Sequence, residues 1–209
     1  LYWQGVASAE LGKAKAAGYL FRHLAQEDDY YGLLSAERLG EKIRKPAVAG
    51  VMTAQADAGR LAQHAGFQRA FALRALGQRW EAVNEFNWAL RTADQALTLA
   101  AARAANDIGW YDRAIYAAEQ THGADAIQLR YLMPYKEVAM ALSEERALDS
   151  AWVYGLMRQE SRFVPNASSV VGAGGLMQLM PATAQWVSGK LGVPYQAEAV
   201  NDPEQNMRM

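Results

Sequence analysis

MRQESRFVPNASSVVGAGGLMQLMPAT, residues 157–183, is the stretch on which the reading of this chain turns. It sets one carboxylate, Glu160, at the end of an apolar helical face, and a glycine-rich segment then delivers Gln178 and Met180 a short way downstream. Val153, Leu156, Met157 and Glu160 fall at i, i+3, i+4 and i+7, a single face of a helix expected from Asp149 or Ser150 to about Ser161. The three apolar residues are expected to face a core, so Glu160 should leave the helix where they point rather than into bulk water. Desolvation penalises a charged carboxylate there, so its pKa is expected to rise and a proton to be held near neutral pH. Donating that proton to a leaving oxygen is the work of a general acid. Asp149, just before the helix, is expected to cap its free backbone donors.

Downstream, Pro165-Asn166 marks a turn and Ser168-Ser169-Val170-Val171 has strand character. Gly172-Ala173-Gly174-Gly175 reads as a tight reversal, and Leu176-Met177-Gln178-Leu179 as the returning strand. Pro181 suits the first position of a new helix, Ala182 to Lys190. The window thus predicts a small β-hairpin between two helices. Its glycines are not a phosphate cradle, because the P-loop lysine is missing and the spacing does not fit a dinucleotide turn.

Upstream, as far as about Asp149, the pattern is helix after helix, rich in alanine, leucine, glutamine, arginine and glutamate. Pro46 is the single proline before Pro134. A weak repeat is readable: Leu11-Gly12, Leu76-Gly77 and Ile108-Gly109 each stop a helix with glycine, which takes the left-handed conformation without strain. Five residues on stand Ala17, Ala82 and Ala114, expected as close contacts of the next helix. Gly77 and Gly109 are one α-solenoid hairpin apart. Aromatic residues on these hairpins (Trp80, Phe86, Trp88, Trp110, Tyr111, Tyr116) read as core. Gly123 to Tyr135 is the candidate boundary, with an extended bias before Pro134; Lys136 to Arg146 then reads as a helix.

Composition narrows the classes. The chain has 209 residues, 51% of them hydrophobic and 21% charged, which is ordinary for a globular protein with a sizeable core. Its net charge of -1 and the lack of a basic tract argue against nucleic-acid binding and against seating on an anionic membrane. With no cysteine there are no disulfides, thiolate nucleophiles or thiolate metal sites. His23, His64 and His122 lie in separate helical segments, so no metal and no cofactor is expected. The longest apolar runs, such as Ala96 to Ala105, are too short and polar to span a bilayer. The chain starts at Leu1 rather than methionine and reads as an excised fragment, so the lack of a signal peptide carries no weight.

The 157–183 window resembles the catalytic domain of the soluble lytic murein transglycosylases, the family that cuts peptidoglycan glycan strands. The matching residues are Glu160-Ser161, Ser169, Gly172-Ala173, Gly175-Leu176-Met177-Gln178 and Pro181-Ala182-Thr183-Ala184, in family order and spacing. Asp202-Pro203-Glu204-Gln205-Asn206 resembles the family's next motif, and Arg130-Tyr131 to Pro134-Tyr135 the approach to the domain. Tyr2-Trp3-Gln4-Gly5 and Asp28-Asp29-Tyr30-Tyr31-Gly32-Leu33-Leu34 resemble the helical part of its large members. The resemblance implies a mainly α protein. Residues 1–125 would be an α-superhelix of helical hairpins. Residues 126–209 would be the N-terminal part of a lysozyme-like α+β catalytic domain with its small β-hairpin.

Carried over residue by residue, the resemblance makes Glu160 the only catalytic acid/base. It would protonate the bond between N-acetylmuramic acid and N-acetylglucosamine, then deprotonate the muramyl C6 hydroxyl, whose attack on C1 gives a 1,6-anhydro end. Ser169, Gln178 and Met180 would line the cleft and hold substrate. Ser161 would buttress the turn after the helix, with Gly172, Ala173, Gly175 and Met177 in support. The acid count agrees: an ordinary glycosidase needs two carboxylates, and after Glu160 only Glu198, Asp202 and Glu204 remain. An intramolecular nucleophile needs no second one. The implied partner is the peptidoglycan strand and the implied location periplasmic, with cell-wall synthesis or secretion partners left open. The family domain continues past Asn206 with more helices and a cleft tyrosine, so a fragment ending at Met209 is expected to be inactive. Two other readings stand beside this one: a lysozyme-like muramidase using water, and a non-catalytic helical-repeat interaction module.

Overall fold

Three glycine stops organise the first half of the computed structural model, which describes residues 1–27, 29–41 and 51–209. Asp28 of the second quoted motif and Pro46 lie outside the described residues. Helices α1 (Tyr2–Glu10), α5 (Ala65–Ala75) and α7 (Gln95–Asp107) each end two residues before such a glycine. Gly12, Gly77 and Gly109 have φ of 72°, 76° and 69°. Behind each, the next amide folds back on the last turn: Lys13 N–H donates to Ser8 O, Gln78 to Leu73 O and Trp110 to Ala105 O. The helices that follow are α2 (Ala14–Leu24), α6 (Arg79–Leu90) and α8 (Tyr111–Ala118). They return antiparallel, and the alanine five residues past each glycine, Ala17, Ala82 or Ala114, is buried.

Among the described residues the remaining helices are α3 (Tyr30–Arg38), α4 (Val51–Gln63), α9 (Ala124–Arg130), α10 (Lys136–Glu145), α11 (Ser150–Ser161), α12 (Pro181–Leu191) and α13 (Pro203–Arg208), with a 3₁₀ turn at Ala197–Asn201. Tyr2, Ala17, Phe21 and Leu24 form a small core between α1 and α2. A larger one fills α4 to α9, dominated by alanine faces and by Phe67, Phe86 and Trp110. Their rings meet edge-on at 5.4 Å and 5.2 Å. Each fully buried aromatic stabilises the array by about 1.5–3 kcal/mol, and the edge contacts add roughly 0.5–1.5 kcal/mol. The third core matters most for the site. Ile115 of α8 packs with Ala139 of α10, Val153, Tyr154 and Met157 of α11, and Phe163 and Leu176 beyond it. The helix carrying Glu160 is thereby seated on the last hairpin of the array.

Two expectations about the fold need correction. Trp80 and Trp88, read as core, are 76% and 63% exposed, whereas Phe86 and Trp110 are buried. The α+β domain with its β-hairpin is overturned: the described residues contain no strand, only isolated bridges Ser168↔Gly174 and Gly174↔Leu179. The reason is local. Ser169 N–H donates to Ala173 O and its hydroxyl accepts from Ala173 N–H, so the chain has turned before a ladder can start. Val170 and Val171 stand exposed at the tip without cross-strand partners. Gly175 and Gln178, at φ of 78° and 49°, break the returning limb. The architecture is all-helical, consistent with an α-superhelix, and the hairpin is an irregular loop.

Candidate active site

Helix α11 begins where Asp149 accepts from Ala151 N–H at 2.8 Å, the expected cap. Val153 and Met157 of its apolar face are buried and Leu156 is half-buried, but Glu160 is exposed. The dry setting expected for that carboxylate is therefore absent in this chain. Periodicity fixed the face on which Glu160 lies; the third core simply ends one turn before it.

Just past Glu160 the chain reverses sharply. Arg162 and Phe163 both adopt left-handed backbone, φ 49° and 63°, costing roughly 1–2 kcal/mol each for a non-glycine residue. Burial of the Phe163 ring, 1% exposed, offsets this. The Ser161 hydroxyl lies 2.8 Å from Leu176 O and 3.1 Å from Met157 O, so the end of the helix is tied to the returning loop.

The loop is held from within. Gly175 N–H donates to Ala167 O, and Gly175 O accepts from Gln178 N–H. The Gln178 side chain folds back: its amide nitrogen donates to Ala167 O at 3.1 Å and Gly175 O at 2.9 Å. Both N–H groups are thus engaged and the amide oxygen is left to accept. Met177 N–H donates to Asn206 Oδ1 at 2.8 Å, and Asn206 Nδ2 donates to Val200 O at 2.8 Å and Gly174 O at 3.3 Å.

Glu160 and Gln178 share a cleft of about 380 Å³ with Gln159, Ser161, Arg162, Val164, Ala167 and Ser168. Other predicted residues lie differently. Ser169 turns its hydroxyl inward to Ala173, while Ser168 lines the cleft. Met180 is exposed at the start of α12 and does not line it. Gly172 is at the loop tip in open space, whereas a Cβ on Gly175 would meet Val200 O at 1.9 Å. Ala173 is buried, and the Met177 side chain packs against the third core.

The helical array supplies the opposite wall through Arg79, Asp112 and Arg113, which sequence reasoning missed. Asp112 is buried, 3.2 Å from Arg113 Nε and 3.7 Å from Arg79 Nη2. Arg113 also donates to Asn87 Oδ1 at 2.7 Å. Nothing in the local pattern separates these arginines from ordinary surface ones; only the glycine stops, which fix where α6 and α8 start, hint at their placement. Arg162 makes a third guanidinium group at the cleft, and with Glu160, Asp112 and the Glu119 that pairs with Arg162 the charges balance.

The seat of α11 is polar at its edge. Glu119 holds Arg158 at 2.8 Å and Arg162 at 3.2 Å, on either side of Glu160 in sequence. Arg158 Nε donates to Arg130 O at 2.9 Å, and Tyr154 donates its phenolic hydrogen to Pro134 O at 3.1 Å. Burial raises the Tyr154 pKa. Burial and, secondarily, the neighbouring Tyr111 push Tyr135 up to about 12. Among the described residues no group of three or more His, Asp or Glu is placed to hold a metal, and no helix is long and apolar enough to cross a membrane.

A helical-hairpin array carrying a further helix that ends in an exposed carboxylate defines an all-helical, superhelical class of protein. Comparison with known proteins names the family. Residues 137–209 match the transglycosylase SLT domain and residues 60–127 the soluble lytic murein transglycosylase L domain. The soluble lytic murein transglycosylase of Escherichia coli K12 is 28% identical over 218 aligned residues, spanning 100% of this chain and 32% of that protein. In structure, an inactive mutant of the lytic transglycosylase Slt from Pseudomonas aeruginosa superposes with a TM-score of 0.79 at 33% identity, over 99% of this chain and 34% of its own. The 70 kDa soluble lytic transglycosylase Slt70 of E. coli does so with 0.76 at 25% identity, over 99% and 33%. The chain belongs to the soluble lytic murein transglycosylase family, and it spans about a third of the length of the relatives it matches.

Proposed function

We propose that this chain carries the acid/base centre of a peptidoglycan lytic transglycosylase, with residues 1–125 as the helical platform and 126–209 as the catalytic part. Glu160 donates its proton to the glycosidic oxygen between N-acetylmuramic acid and N-acetylglucosamine. The same carboxylate then takes the proton of the muramyl C6 hydroxyl, whose oxygen bonds to C1 and closes a 1,6-anhydro ring. Atoms balance: one C–O bond breaks, one forms, and the proton given to the leaving sugar is replaced by the one removed from O6. Gln178 is the substrate-binding candidate within this cleft and offers its amide oxygen to a donor such as an acetamido N–H or a sugar hydroxyl, while Ser169 and Met180 would meet the glycan only outside it. Because Glu160 is exposed, water has to be displaced from it by the glycan itself.

The observation that carries this reading is the shared cleft of Glu160 and Gln178, in which the other carboxylate, Asp112, is committed to Arg113 and Arg79. A two-carboxylate hydrolase would need Asp112 free to activate water. The location follows from the substrate and is periplasmic. The test is mass analysis of muropeptides released by the full-length protein. Ends lighter by one water support the anhydro mechanism, and fully hydrolysed reducing ends contradict it.

A further inference from the structure

The most completely enclosed polar side chain near the cleft belongs to Asn206, which is 0% exposed and which the mechanism above does not use. It reaches three backbone segments at once: Met177 N–H, Gly174 O and Val200 O. Its two loop partners flank Gly175. Gly175 is pressed so closely on Val200 and Asn206 that an added Cβ would stand 1.9 Å from Val200 O and 2.2 Å from Asn206 Nδ2. The backbone of Gly175 in turn anchors both arms of the loop, through Ala167 O on one side and Gln178 on the other. Asn206 thus grips the loop on both sides of its hub, at 174 and 177, and fixes that hub against the 3₁₀ turn.

We propose, building on the lytic transglycosylase reading, that Asn206 is a positioning residue of the site: it sets where Gln178 stands relative to Glu160. It touches neither substrate nor Glu160, and acts through the loop. The amide is required because it combines one acceptor and one two-hydrogen donor in a flat group. Asn206→Asp keeps the shape and the acceptor but turns the donor into a second oxygen facing two carbonyls. Only the protonated acid can donate there again, to one carbonyl of the two. Residues 174–177 bring no titratable side chain to this spot, and the 3₁₀ turn meets it with Val200 O. On its own helix Asp202 caps Gln205, and Glu204 pairs with Arg208, which also approaches Glu145 of α10.

The test uses the full-length protein and its Asn206→Asp and Glu160→Gln variants, assayed on peptidoglycan across a pH range. Circular dichroism follows the folded fraction at each pH, well below the melting temperature. With the fold retained, kcat of Asn206→Asp is expected to fall on the order of a hundredfold near neutral pH, as for an ångström-scale misplacement. KM should change much less. The ratio of variant to wild-type kcat is expected to climb as pH falls and the new carboxyl gains its proton. A pH-independent ratio, or wild-type kcat throughout, overturns the proposal. So does a loss of activity that only tracks the folded fraction, since that makes Asn206 a stability residue. Asn206→Ser, which keeps one donor in a smaller side chain, should retain intermediate kcat; activity equal to wild type again overturns it. Should Glu160→Gln be as active as wild type, the functional reading itself fails, an outcome distinct from a failure confined to Asn206.

Discussion

Gly172→Ala and Gly175→Ala form a matched pair that isolates the steric argument for the loop. The two glycines have similar backbone, φ 87° and 78°, so a new side chain meets a similar conformational penalty at each, roughly 1–2 kcal/mol. Their surroundings differ completely. Nothing lies within 4 Å of a Cβ at Gly172, whereas at Gly175 Val200 O is at 1.9 Å and the Asn206 amide at 2.2 Å. Relief to a tolerable 3.0 Å requires Val200 O to retreat by 1.1 Å (3.0 − 1.9), with Asn206 moving as well. Overpacking of that size costs about 1–3 kcal/mol, and a buried hydrogen bond lost in the retreat adds about 1–3 kcal/mol. The expectation is a loss of about 1–2 kcal/mol for Gly172→Ala and about 3–8 kcal/mol for Gly175→Ala. Urea denaturation followed by circular dichroism measures both. Equal losses in the two variants refute the close approach of the 3₁₀ turn to Gly175.

Ser161→Ala removes the hydroxyl between Met157 O and Leu176 O. It should cost about 1–3 kcal/mol, read as a lowered urea midpoint; an unchanged midpoint would mean that the tie to Leu176 holds nothing. Tyr135, held up to about 12 against an ordinary 10.0, keeps its proton in the folded state over a range where the unfolded chain has lost it. Its contribution to stability is present below the lower value and disappears as pH rises through the upper one. Denaturation curves at alkaline pH should show Tyr135→Phe losing less stability than wild type across that window, and parallel curves would contradict the buried setting.

How much of this was visible in the sequence depends on the range of the forces involved. Helix stops at Gly12, Gly77 and Gly109, the cap at Asp149 and the proline start of α12 are local events, and all stand where the residues predicted them. Val170 and Val171 misled because β propensity reflects packing on a pleated surface, and these two side chains have no such surface to meet. The exposure of Glu160 could not be read from periodicity, which gives the face of a residue but not where the facing core ends. Arg79 and Arg113 reach their places through tertiary contacts 26 or more residues away, which no short pattern encodes; Asn206 stands in the Asp202–Asn206 motif, but its hold on residues 174 and 177 is a tertiary contact that the motif does not show.

The central claim is that one carboxylate performs both proton transfers. The direct measurement is turnover of peptidoglycan by the full-length protein with Glu160→Gln, paired with its melting temperature. The account predicts turnover reduced to background with the melting temperature unchanged, because the substitution is isosteric and the side chain is exposed. Turnover near the wild-type rate in a folded variant would contradict it.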